Sequence, residues 1–211
     1  LLGDVFSRGG SSSGTHVLEE GRPIGQFYGL VCNGIDENGR YILVDKDGDG
    51  EISDPADYDY IGSAQPKLTY GITNSFRYKN FDLSFFLRGT IGNDILNATR
   101  MAYAQSGFLP GTNALDDPLT YTLSETPRFS NYYLEKGSFM RLDNLTLGYK
   151  IKALNGIRVY FTAQNLFVIT KYKGLDPEVP MDSGDGLTPG VEPREFYPKA
   201  RTFSVGLNLN F

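Results

Sequence analysis

Apolar and polar side chains alternate without a break along the last eleven residues, RTFSVGLNLNF. Phe203, Val205, Leu207, Leu209 and Phe211 share one parity, and Thr202, Ser204, Gly206, Asn208 and Asn210 share the other. This period of two predicts a strand with one oily and one wet face. Such alternation suits a soluble β-sandwich. It suits equally the wall of a membrane barrel, with lipid on one side and a polar lumen on the other. An unblunted strand that stops on Phe211 favours the barrel.

Two further stretches predict hairpins whose register can be worked out. QPKLTYGITNSFRYKNFDLSFFLRGTI turns at Lys79-Asn80, where Asn is suited to the positive φ of a two-residue loop. Tyr78 then opposes Phe81, Phe76 opposes Leu83, Ile72 opposes Leu87 and Leu68 opposes Ile91, while Arg77 meets Asp82 and Ser75 meets Ser84. A second pair, LTLGYKI and GIRVYFTAQ, turns between Lys152 and Gly156. It sets Tyr149 against Val159, Leu147 against Phe161 and Thr146 against Thr162. It also sets Lys150 against Arg158, a like-charge pair whose cost is small where both side chains reach solvent.

Short turns alternate with long polar connections at 92–138 and 169–199, as the periplasmic turns and extracellular loops of outer-membrane barrels do. Five strands are expected, at 67–78, 81–91, 139–151, 157–168 and 201–211. Five cannot close a barrel, since the smallest use about eight. The third is irregular, because Arg141 and Asp143 share the parity of Leu145 and Leu147; a bulge near Asp143, or a strand rising above the lipid, would account for it. Among alternate-face polar residues, Thr73, Arg77, Arg88, Thr162 and Gln164 are expected to point into the lumen.

Composition narrows the classes. The 211 residues include 25 Gly, 14 Tyr and 14 Phe, and no apolar run approaches the roughly 20 residues of a membrane helix, so any crossing is by strands. A net charge of −5 argues against a nucleic-acid partner. The single Cys32 has no partner for a disulfide and reads as a small apolar strand residue. The chain opens Leu1-Leu2-Gly3, without an initiator Met or a signal peptide, and is expected to be part of something longer.

Residues 1–66 form a different region. A Ser/Gly-rich stretch at 7–16 is expected to be a flexible loop ending at His16, the only histidine. Without a nucleophile motif beside it, no catalytic role follows and the chain is not expected to be an enzyme. FYGLVCNGID and RYILVD flank Asn38-Gly39, a hairpin signal. DKDGDGEISDPADYD then places Asp45, Asp47 and Asp49 at alternate positions before Gly50, the first half of a calcium loop. The Glu51 carbonyl would add an oxygen. The twelfth position is Ala56 rather than the usual Glu, so Asp54 or Asp57 would have to complete a structural calcium site. A bare acidic turn is the alternative.

Taken together, the chain resembles the C-terminal part of a SusC/RagA-family TonB-dependent outer-membrane transporter. The resemblance lies in EGRPIGQFYGLVCNGI at 20–35, DKDGDGEISDPADYDYIGSAQPKLTYGITNSFRYKNFDLSFFLRGTIGNDI at 45–95 and GSFMRLDNLTLGYKI at 137–151. AQNLFVITKYKGLDPE at 163–178 and the terminal FSVGLNLNF complete it. The resemblance implies an all-β fold, an antiparallel transmembrane β-barrel segment comprising the last strands of a barrel of about 22. Residues 1–66 would be an extracellular loop and hairpin region, and 67–211 the barrel strands with their long outer loops. It further implies import of glycans or peptides in the outer membrane, with a SusD-like lipoprotein lid and with TonB acting through an N-terminal part not present here. Phe203, Val205, Leu207, Leu209 and above all Phe211 match the terminal signal read by the barrel-assembly machinery. Tyr121, Phe129, Tyr132 and Tyr133 in the 92–138 loop are the candidate cargo-contacting rings, since aromatic rings stack on sugars and pack on peptides; the alternative is that they pack the loop against its neighbours or against the lid protein. Two rivals stand beside this reading: a secreted or surface calcium-binding β-sandwich or adhesin, and an outer-membrane enzyme.

Overall fold

The computed structural model describes residues 2–7, 14–53, 55–107, 109–111, 113–152, 157–178, 188–193 and 197–209. Its dominant element is a five-stranded antiparallel sheet built from β7 (Leu68–Tyr78), β8 (Phe81–Ile91), β11 (Phe139–Ile151), β12 (Ile157–Thr170) and β13 (Thr202–Asn208), in the order β13-β12-β11-β8-β7. All five expected strands form within a few residues of their expected ends. The register is the one the alternation dictates: Leu68, Ile72, Phe76 and Tyr78 oppose Ile91, Leu87, Leu83 and Phe81. Likewise Leu147 opposes Phe161, and Lys150 opposes Arg158. In the first hairpin the positive φ falls on Lys79, at 54°, rather than on Asn80. Residues 153–156 of the expected Lys152–Gly156 turn lie outside the described residues.

The irregularity in the third strand is a bulge. Against β8 the pairing steps from Leu142–Leu87 to Asn144–Phe86, so Asp143 is the extra residue and parity reverses across it; against β12 it steps from Leu142–Phe167 to Asn144–Gln164, which leaves Asn165 and Leu166 opposite Asp143. Leu142 therefore pairs with Leu87 on the apolar face, and Arg141 with Arg88 on the polar one. Without that slip, Arg141 would face outward among Leu145 and Leu147.

The apolar face is continuous and uncovered. Ile72, Phe76, Phe203, Val205 and Leu207 are between 51 and 77 % exposed. Large aliphatic and aromatic side chains do not stay open to water across five adjacent strands of a folded protein. The 11 residues of β8, rising about 3.3 Å each and tilted about 40°, span about 25 Å, the height of a barrel's lipid-facing band.

The remaining elements form a second body of structure at the long-loop end. Strands β1 (Leu2–Ser7), β2 (Gly14–Glu19), β3 (Gln26–Leu30) and β6 (Tyr58–Ser63) make one sheet, and β4 (Cys32–Ile35) and β5 (Tyr41–Leu43) form the hairpin at Asn38-Gly39. The 92–138 connection contributes β9 (Asp94–Leu96), α1 (Ala98–Tyr103), α2 (Pro118–Thr122) and β10 (Leu134–Lys136). Phe27, Cys32, Tyr41, Leu96, Leu119, Phe129 and Tyr133 pack into one core that joins these pieces. Among the described residues, no helix is long and apolar enough to cross a membrane.

His16 departs from expectation. It sits inside β2, fully buried, with Nε2 2.9 Å from the Pro189 carbonyl, Nδ1 2.9 Å from Thr15 Oγ1 and its ring against Phe27. It ties β2 to the far end of the 169–199 connection. Residues 8–13 of the Ser/Gly stretch lie outside the described residues. Cys32 is a buried free thiol donating to the Gly34 carbonyl, and burial pushes its ionisation upward, the opposite of a reactive cysteine.

Candidate functional site

The polar face of the five-stranded sheet is zoned along the strands. Its middle carries hydroxyls and amides, with Ser75 opposite Ser84, Ser84 opposite Thr146, Thr146 opposite Thr162 and Thr162 opposite Ser204. Thr73 and Gln164 lie on the same face. Charges gather at the two ends.

At the short-turn end Arg158 grips Asp82 through two bonds of 2.9 and 2.5 Å. The two residues lie on either side of β11, and the ion pair crosses it at Gly148; a Cβ there would sit 2.4–2.5 Å from Arg158 Nη2 and Asp82 Oδ1. Asp82 thus gives Arg158 a counter-charge and offsets the Lys150–Arg158 repulsion. Arg77 opposes Asp82 across the ladder as expected, but both carboxylate oxygens go to Arg158.

At the long-loop end a denser network binds the DPE segment of the 169–199 connection to the wall. Arg88 donates to both oxygens of Glu178 at 2.6 and 2.9 Å, and its Nε lies 3.1 Å from Asp143, the bulge residue. Arg141, only 1 % exposed, donates to Asp176 at 2.5 Å and to the Asn165 amide oxygen. Lys199 reaches Glu178 at 2.6 Å. Asn165 is in the left-handed region, φ 50°, and returns a bond to the Lys199 carbonyl. Burial works against a charged Glu178, yet Arg88 and Lys199 outweigh it and hold its carboxyl below the usual range. The sequence flagged Arg88 as lumen-facing but not its partners, which lie up to 90 positions away.

The acidic loop folds on itself. Oxygens of Asp45, Asp47 and Asp49 come within 4.8 Å of one another. Asp45 accepts the amides of Gly48 and Gly50, Asp47 that of Asp49, and Asp49 that of Glu51. Asp57 does not join them. It is buried, and its carboxylate takes the amides of Lys46 at 2.6 Å and Ser53 at 2.8 Å, which close the loop and hold its ionisation below the usual range. Asp54 lies outside the described residues.

The expected cargo rings divide. Phe129 and Tyr133 are core residues, 7 and 0 % exposed, with the Tyr133 hydroxyl bonded to Tyr41, so neither can stack on a ligand. They are buried because the long connection folds against β3 and β4 instead of hanging free. Tyr132 is half-buried under the Arg100 guanidinium. Only Tyr121, 77 % exposed, offers an open ring. Of the residues expected to form a terminal assembly signal, Phe203, Val205, Leu207 and Leu209 are exposed, the first three on the apolar face; Phe211 lies outside the described residues.

Comparison with known proteins decides the family. The chain is 36 % identical to the TonB-dependent receptor SusC of Bacteroides thetaiotaomicron over 99 % of its own length, and 34 % identical to the TonB-dependent receptor P3 of Formosa agariphila over 93 %. The chain belongs to the SusC/RagA family of TonB-dependent receptors. These are outer-membrane β-barrel proteins and not enzymes. In three dimensions it matches the RagAB peptide importer in its closed-closed state with a TM-score of 0.71, at 26 % identity, over 92 % of this chain and 24 % of that one. No family model matches. The chain spans about a fifth of the length of the curated relatives it matches, 23 % of P3 and 21 % of SusC.

Proposed function

We propose that the chain is the C-terminal part of the wall of a closed, TonB-dependent transport barrel of about 22 strands, with residues 1–66 and the long connections as its extracellular surface. The observation that carries this is the two-faced sheet: a lipid-height apolar face, a hydroxyl-rich face fit for an aqueous lumen, and open edges at β7 and β13 that need neighbouring strands. The likeness to SusC and to the RagAB peptide importer supports import of glycans or peptides under a SusD-like lipoprotein, with TonB supplying the work through another part of the protein. Deleting the gene is expected to abolish uptake of its labelled oligosaccharide or oligopeptide cargo, and dissipating the proton gradient should do the same. Uptake that persists in either case would overturn the transport reading.

The acidic loop fits a structural calcium ion held by Asp45, Asp47 and Asp49, with the Glu51 carbonyl and water completing the six to eight oxygens. Asp57 supports it from behind by fixing the loop backbone. Luminescence of bound terbium should appear with the native loop and vanish in Asp47→Ala while the barrel still assembles; equal luminescence in both proteins would leave a bare turn.

A further inference from the structure

On the outward, apolar face, where β8, β11 and β12 meet the long connections, the sheet opens into a cleft of about 480 Å³. Its floor is Tyr70, Ile91 and Ile169, and its upper rim is Ser138, Lys136 and Lys171. Tyr70 is fixed across Gly89, with its hydroxyl donating to the Phe139 carbonyl at 3.4 Å. Ile91 and Ile169 are about half exposed or more. Lys136 shares its charge with Asp94 at 2.7 Å, whereas Lys171 makes no ion pair among the described residues.

The position of this cleft gives it meaning. Phe81, Tyr78 and Tyr149 mark one border of the apolar band. Ile91 lies a strand length away at the other, on the side of the long loops. There an apolar floor and a cationic rim meet at the height where acyl chains give way to headgroups. The apolar side chains suit acyl chains, and the ammonium groups suit a phosphate.

We propose that this cleft is a binding site for one phosphate-bearing lipid of the outer leaflet, with Lys171 as the main phosphate contact, Lys136 assisting, and acyl chains lying over Tyr70, Ile91 and Ile169. The site rests on the reading of this face as the lipid side. A phosphorylated lipid there would brace β8, β11 and β12 next to the Arg88–Glu178 network on the opposite face.

Native mass spectrometry of the full-length receptor in detergent tests it, with bisphosphorylated lipid A and its dephosphorylated form as probes. Lys171→Gln is expected to lower retention of the bisphosphorylated lipid about fivefold, the equivalent of about 1 kcal/mol for one lysine near a headgroup. Lys171→Arg should restore it, and the dephosphorylated lipid should be retained poorly by all three proteins. Equal retention in Lys171→Gln or equal retention of the dephosphorylated lipid would overturn the site. Heat-modifiable migration and outer-membrane fractionation of the same proteins separate the two failures. A receptor that lacks both properties refutes the lipid face and the site with it, while one that has both but ignores Lys171→Gln refutes the site alone.

Discussion

Arg141→Ala is expected to release the 174–178 segment from the barrel wall and to lower the stability of the assembled protein by about 3–5 kcal/mol. The Arg141 side chain is 1 % exposed and that of Asp176 is 5 %, and they meet at 2.5 Å. Removing the cation leaves the Asp176 carboxylate buried without its counter-charge, and the cost is chiefly that unpaired charge rather than the lost attraction. Asn165 loses its donor in the same step, and Glu178 keeps only Arg88 and Lys199. The double substitution Arg141→Ala with Asp176→Ala should recover much of the loss, because it buries no orphaned charge. The temperature at which the folded band converts on a gel reads the stability, and limited proteolysis within 171–199 reads the release. If Arg141→Ala matches the native protein in both, the network does not anchor the connection.

That anchoring shows where the sequence speaks and where it is silent. Pairing within the sheet was legible because a one-residue slip would turn Ile72, Phe76, Leu83 and Leu87 to the wrong face; only one register keeps them together. The bulge at Asp143 was legible for the same reason, since Arg141 breaks the parity of Leu145 and Leu147. The DPE segment was not, because nothing local tells Asp176 or Glu178 which cations they meet. The available signal was indirect: Arg88 and Arg141 stand together at the long-loop end of the wall with only Asp143 beside them on the strands, so further carboxylates had to come from elsewhere. Phe129 and Tyr133 misled for a related reason. A long polar connection suggests exposed rings, but this one shares a core with the N-terminal region, its Leu96 and Leu119 packing with Phe27, Cys32 and Tyr41, and those partners are tertiary neighbours without a periodic pattern. His16 looked like the end of a loop because Ser and Gly precede it; its burial depends on Phe27 and Pro189, far along the chain.

Adjacent substitutions near the middle of β7 should behave in opposite ways. Ile72 and Thr73 are neighbours and both exposed, but Ile72 pairs with Leu87 on the apolar face and Thr73 with Phe86 on the polar one. If the apolar face meets hydrocarbon, Ile72→Arg places a guanidinium near the bilayer centre at a cost of about 2–4 kcal/mol, and the folded, surface-exposed receptor should fall several-fold. Thr73→Arg puts the same group into a wet lumen that already holds Arg77 on the same strand face, and its level should stay near that of the native protein. A soluble sheet would tolerate both changes, since each would simply extend a charged side chain into water. Surface biotinylation together with heat-modifiable migration gives the levels. A large loss for Ile72→Arg with little for Thr73→Arg assigns the faces as described. Equal tolerance would remove the membrane from the account of this sheet, and a loss confined to Thr73→Arg would exchange lumen and lipid.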